Sequence, residues 1–184
     1  MNLKEGEQHG DAYKAVNLAS AVPAFELEDG TILTQSMAMM EWLEEVYPNP
    51  SLFVGNAATD AKIRAFANII SSEMHPLNNL RVLKYLVGEM ALEDSQKMQW
   101  MHHWMHKGFL AAEAMMKSHE SGYCYGDAPT LADICLVPQI YNALRFKVEM
   151  EKYPRLMQCY EHALMHTAFD NARPEKQPDS TLPL

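Results

Sequence analysis

Strand signals in this sequence end before residue 35, and beyond residue 60 helical spacing takes over completely. Two short β-favouring runs, Val22-Pro23-Ala24-Phe25-Glu26-Leu27 and Ile32-Leu33-Thr34, flank Glu28-Asp29-Gly30, a turn sequence that joins hairpin strands. A short helix is expected over 11–18, opening at Asp11. A second runs from Ser36 through Met40, Leu43 and Val46 to Tyr47, where Pro48-Asn49-Pro50 stops it. Residues 48–60, rich in Pro, Asn, Gly, Ala and Ser, read as a linker. Long helical patterns follow over 60–89, 93–118, 130–146 and 153–166, and 176–184 reads as an extended tail. The expected class is therefore α+β: a small α/β part over 1–50 and an all-helical domain over 60–184. A two-stranded hairpin with helices beside it is a marginal sheet. The apolar faces of those helices need more sheet, so strands from outside this chain, or poor order, are expected there.

Composition narrows the function classes. The 184 residues are 48% hydrophobic, enough to bury a core. No apolar run reaches the roughly 18 residues of a membrane span. Asn2-Leu3-Lys4-Glu5-Gly6-Glu7 lacks a signal-peptide core, so a soluble, cytoplasmic protein with no membrane partner is expected. With 24 acidic against 15 basic residues the net charge is −9, which argues against a nucleic-acid partner. Cys124, Cys135 and Cys159 are odd in number and form no CxxC, as reduced core cysteines do. Fourteen methionines at helical spacing suit gap-filling in a core. His102 and His106 have metal-ligand spacing, but no third ligand follows and Trp100 and Trp104 mark an amphipathic face, so no metal is expected.

Several short motifs carry candidate chemistry. Proline opening a strand at Val22-Pro23 is tolerated at a sheet edge. A cis bond there would turn the Val22 N–H and C=O outward, able to pair with an extended peptide. Gln35-Ser36 stands where strand gives way to helix. The Ser36 hydroxyl and the first-turn N–H groups either cap the helix or form a site for a peptide carboxylate, with the Gln35 amide beside them. In His75-Pro76-Leu77-Asn78-Asn79-Leu80-Arg81 the proline predicts a kinked helix that deprives the Ser72 carbonyl of its partner. His75, Asn78 and Asn79 then share one face, with Arg81 nearby, as a binding cluster or as a polar network between helices or subunits. Thr130 and Asp133 have capping-box spacing. Arg145 ends a helical pattern, where a cation suits the helix dipole and could equally bind a substrate carboxylate.

Taken in order, these pieces resemble the zeta class of glutathione transferases, the maleylacetoacetate isomerase type. Lys4-Glu5-Gly6-Glu7-Gln8-His9 resembles the loop after the family's second strand. Val22-Pro23-Ala24 is similar to its cis-proline turn, and Leu33-Thr34-Gln35-Ser36 with Glu41-Trp42-Leu43-Glu44-Glu45 to its γ-glutamyl site. His75-Pro76-Leu77-Asn78-Asn79-Leu80-Arg81-Val82-Leu83 and Gln177-Pro178-Asp179 are the stretches closest to zeta, and Asp127 to Gln139 matches the helical-domain motif. The resemblance implies a partial thioredoxin-like domain followed by the all-α transferase domain, usually in a homodimer. It implies glutathione as cofactor, bound by Gln8, Val22, Gln35, Ser36, His75, Asn78, Asn79 and Arg81, and Arg145 as binder of a maleyl diacid substrate.

Two departures from the family pattern shape the expectation. Asn17-Leu18 stands where the family has Asn-Pro. The Ser-Ser-Cys-type motif that activates the thiol would precede Met1, so the catalytic group is unassigned and little isomerase turnover is expected from these residues alone. The implied reaction is addition of the glutathione thiolate to a conjugated cis-diacid such as maleylacetoacetate or maleylpyruvate, rotation, and elimination. Conjugation of small electrophiles uses the same thiolate, and a non-catalytic fragment retaining the helical domain is the third reading.

Overall fold

A computed structural model describes every residue except 4, 117–120, 179 and 181–184. Two compact units divide the chain, Met1–Ser51 and Leu52–Leu184.

The first unit runs from a 3-10 turn (Glu7–His9) through α1 (Asp11–Val16), β1 (Ala24–Glu26) and β2 (Ile32–Thr34) to α2 (Ser36–Val46). The strands pair antiparallel, Ala24 opposite Thr34 and Glu26 opposite Ile32. β1 is shorter than the run Val22–Leu27, and it opens only after Pro23, which has no N–H for the ladder. The hairpin turn forms where its sequence places it. Gly30 takes φ 83°, its N–H donates to the Leu27 carbonyl at 3.0 Å, and Asp29 accepts from Thr31 N–H at 2.9 Å. The segment after α1 is fixed by buried Asn17, whose Nδ2 donates to the Ala21 carbonyl at 2.7 Å while its Oδ1 accepts from Ala19 N–H at 3.1 Å. Trp42 of α2 packs edge-on to Phe25 of β1, with ring centroids 5.8 Å apart.

The second unit is helical: α3 (Ala57–Asn68), a π turn (Ile69–Met74), a 3-10 turn (Pro76–Asn78), α4 (Leu80–Gly88), α5 (Asp94–Met115), α6 (Leu131–Arg145), a 3-10 turn (Met150–Lys152), α7 (Pro154–Leu164), α8 (Thr167–Asn171) and a last 3-10 turn (Pro174–Lys176). The stretch expected as a linker to residue 60 is ordered against this unit from Leu52. The Leu52 carbonyl accepts from Leu131 N–H at 3.1 Å, Arg64 lies 4.0 Å above the Phe53 ring, and Asn56 caps α3 through the N–H groups of Ala58 and Thr59. Asn56 in that stretch serves a helix start rather than a free linker.

The long helix expected over 60–89 is broken outright rather than kinked. Pro76 has no N–H and its ring crowds the turn before it, so the ladder first widens, with His75 N–H donating to Ile70 C=O at 2.8 Å. It then tightens into the 3-10 turn and stops at Asn79, whose φ −66° and ψ 145° are extended. Asn79 restarts the chain as the cap of α4, accepting from Arg81 N–H at 3.1 Å.

Methionines fill the core as the composition suggests. Met74, Met101, Met105 and Met116 are buried beside Phe66, Phe109, Leu131, Leu136, Ile140 and Leu156. Gly108 of α5 lies against Met74, whose Cε would have to move aside for a Cβ there, 2.3 Å away. α6 begins with the capping box of Thr130 and Asp133. Its carboxylate is 1% exposed and accepts from Thr130 N–H and Oγ1–H at 2.8 Å each and from Cys124 N–H at 2.7 Å. α7 is capped from a distance: Glu113 of α5 accepts from Arg155 N–H at 3.1 Å and Leu156 N–H at 3.0 Å. Asp133→Ala should lower unfolding free energy by about 3 kcal/mol, because it leaves buried donors unpaired. Urea denaturation measures this, and a change below about 1 kcal/mol would show that water replaces the carboxylate.

Candidate functional site

Gln35 occupies φ 70°, ψ 112°, a conformation that costs a residue with a side chain. It stands at the junction of β2 and α2, and its side chain makes no capping bond to the helix. The first turn of α2 carries no acidic residue, and Ser36 at its head is exposed. The positive end of the helix dipole therefore meets neither a capping side chain from Gln35 nor a carboxylate of its own. Val22 is 43% exposed and its bond to Pro23 is cis. Gln8, in the first 3-10 turn, places Nε2 3.1 Å from His9 Nε2, and its Oε1 is buried without a hydrogen-bond donor. Such an orphaned acceptor fits an amide donor of a bound peptide.

His75, Asn78 and Asn79, expected on one helical face, do not share it, because the 3-10 turn ends at Asn78 and Asn79 is extended. Asn78 is buried. Its Nδ2 donates to the Met74 carbonyl at 3.0 Å, satisfying a group at the break, while its Oδ1 has no donor. Asn79 is occupied as the α4 cap. His75 and Arg81 are exposed. Although the residue is exposed as a whole, partial desolvation of the His75 ring by nearby protein, and secondarily the Arg81 charge, hold its pKa below the ordinary imidazole value. The ring is thus a neutral hydrogen-bonding group at pH 7.

Arg145 ends α6 with its guanidinium 5.4 Å from the centre of the Phe146 ring, exposed, and among the described residues it makes no salt bridge. One turn earlier, Tyr141 donates its hydroxyl to Glu175 Oε1 at 2.8 Å. Sequence reasoning passed over Tyr141, although its i−4 position from Arg145 marks it as a neighbour on the same face.

Other candidates have structural partners. His102 Nε2 lies 2.9 Å from the Phe146 carbonyl, and His106 Nδ1 lies 2.8 Å from the Tyr153 hydroxyl. Each ring ties α5 to the segment that follows α6. All three cysteines are free and buried. The contact with Cys159 and burial raise the Cys124 thiol, and burial pushes Cys135 up to about 11, so neither is a thiolate at neutral pH. Asp179 of the tail motif and Lys4 of the first loop motif lie outside the described residues. Among the described residues no helix is long and apolar enough to cross a membrane.

Residues 2–46 match the family model for the glutathione S-transferase N-terminal domain, and residues 77–167 match that for the C-terminal domain. A probable maleylacetoacetate isomerase of Vibrio cholerae is 40% identical over 98% of this chain and 83% of its own length. A maleylpyruvate isomerase of Ralstonia is 38% identical over 98% of this chain and 85% of its own. The solved holo structure of a bacterial zeta-class maleylpyruvate isomerase superposes with a TM-score of 0.94 at 38% identity, covering 98% of this chain and 85% of that one. A maleylacetoacetate isomerase of Anaeromyxobacter dehalogenans, solved with dicarboxyethyl glutathione and citrate, gives a TM-score of 0.86 at 36% identity, covering 99% of this chain and 84% of that one. These are glutathione transferases in fold, with a thioredoxin-like first domain and a helical second one. The chain belongs to their zeta class, the maleylacetoacetate isomerase family.

The His75 environment is directly measurable. Its proton NMR titration should have a midpoint below about 6.5. Arg81→Gln should raise it only part of the way, since burial is the larger cause. The ring's contribution to stability is then full above about 6.5 and is lost as pH falls from there toward the folded-state pKa. A midpoint at or above the unfolded value would contradict the burial account.

Proposed function

We propose that this chain binds glutathione and a maleyl diacid of the maleylacetoacetate or maleylpyruvate class, and serves the glutathione-dependent cis–trans isomerisation of that diacid. The observation that carries the reading is the head of α2, where strained Gln35 and exposed Ser36 leave a helix N-terminus without an acid of its own. Glutathione, when bound there, would supply the thiolate nucleophile for reversible addition to the maleyl double bond.

The chain's own residues bind and orient. Ser36 Oγ and the α2 amides hold the γ-glutamyl carboxylate, with the Gln35 amide beside them. The Val22 backbone pairs with the peptide as an added strand would. Gln8 Oε1 accepts an amide proton from the peptide, meeting the need of an otherwise orphaned acceptor. The second unit has candidates of its own in His75, Asn78, Asn79 and Arg81, of which Asn78 keeps a buried Oδ1 without a donor. Arg145 takes a substrate carboxylate, its planar guanidinium fork suiting two carboxylate oxygens. No residue of the chain is assigned to holding the thiolate. A cytoplasmic homodimer belongs to the same reading, and sedimentation equilibrium measures that assembly.

Calorimetric titration tests the binding half. Ser36→Ala should weaken glutathione affinity by about 1–2 kcal/mol, the loss of a charge-assisted hydrogen bond. An unchanged affinity removes Ser36 from the site. Glutathione-dependent conversion of a maleyl diacid to its fumaryl isomer tests the reaction. There Arg145→Gln should raise the diacid KM by about tenfold or more while leaving that for glutathione little changed. Conversion that needs no glutathione would refute the reading.

A further inference from the structure

Arg145 shares its face of α6 with Tyr141, with Cβ atoms roughly 6 Å apart as for any pair one turn apart. Tyr141 donates to Glu175 Oε1 at 2.8 Å, and Glu175 belongs to the last 3-10 turn, far along the chain. Glu175 is only 18% exposed. Its second oxygen, Oε2, is buried, takes no hydrogen bond and is ion-paired with Arg173 Nε at 3.8 Å. The segment around it is held internally. Arg173 and Lys176 pair with Asp170, and Gln177 Nε2 donates to the Asn171 and Arg173 carbonyls at 2.9 Å each. Tyr141 thus anchors the Glu175 carboxylate to α6, one turn before Arg145. The phenol feels both charges: burial and Glu175 raise its pKa, while Arg145 lowers it.

A carboxylate in that place is a competitor. Freed of its hydroxyl partner, it would be held only by the 3.8 Å contact with Arg173 and could turn toward the guanidinium, where the reading above puts a substrate carboxylate. We propose that Tyr141 is a positioning residue for the diacid site: its hydroxyl fixes Glu175 in place and so keeps Arg145 open to the substrate. The inference rests on the reading of Arg145 given under Proposed function. It also gives the C-terminal segment a part in selecting the substrate, since Glu175 supplies the carboxylate that must be restrained.

The test compares two ligands by calorimetry on the full chain, glutathione and its dicarboxyethyl adduct. The ratio of their dissociation constants isolates the diacid part. Arg145→Gln should shift the ratio against the adduct. Tyr141→Phe should shift it the same way by about fivefold, the size of a surface ion pair that must first be broken. Tyr141→Phe combined with Glu175→Gln should restore the wild-type ratio, because no competing carboxylate remains. Loss of anchoring alone would lower the thermal midpoint of both variants without that restoration, so a shifted ratio that is not restored overturns the competition. An unchanged ratio in Tyr141→Phe, with a shift in Arg145→Gln, overturns the tyrosine's role and spares the arginine's. An unchanged ratio in Arg145→Gln overturns the reading of Arg145. A wild-type chain that binds neither ligand overturns the glutathione reading, and this inference with it.

Discussion

The Asp133 carboxylate sits where water does not reach, and three hydrogen bonds make that burial tolerable. Two come from Thr130 and one from the Cys124 backbone, so one side chain both starts α6 and pins the loop before it. α6 packs against both α3 and α7. Nearly all of its face is buried, from Leu131 through Leu136 and Ile140 to Ala143. A shift in where α6 begins would rotate that face and carry Tyr141 and Arg145 with it. The charged end of the helix inherits its place from the capped end.

A second constraint acts through an absent hydrogen. Pro76 cannot continue the ladder, and the chain answers with a π turn, a 3-10 turn and a fresh cap at Asn79. The two asparagines that follow are engaged in closing the break, one on the Met74 carbonyl and one on the Arg81 amide. His75 and Arg81 are left at the surface as the groups free of that work. The same economy appears at α7, where Pro154 opens the helix and Glu113 reaches across from α5 to satisfy its first amides.

Local signals made much of this legible. The hairpin at Glu28-Asp29-Gly30, the helix head at Ser36 and the capping box at Thr130 are each set within a few residues, and the structure holds each of them. The broken helix at Pro76 was harder. Apolar spacing continues through residue 83, so periodicity alone predicts one long helix and cannot say whether proline bends or ends it. The Tyr141–Glu175 bond joins residues 34 apart, and Glu113 caps a helix more than 40 residues away. No window of sequence contains such pairs, because tertiary packing brings them together. The strained dihedrals of Gln35 lay equally beyond reach, since glutamine carries no propensity for them.

The head of α2 as a glutathione carboxylate site is the claim on which the functional account turns. A titration of the isotopically labelled chain with glutathione, followed by backbone amide NMR shifts, reads it residue by residue. The account predicts saturable shifts at Gln35, Ser36 and the next amide of α2, with the Ser36→Ala variant requiring more ligand for the same change. Saturable shifts that leave the start of α2 untouched would contradict it.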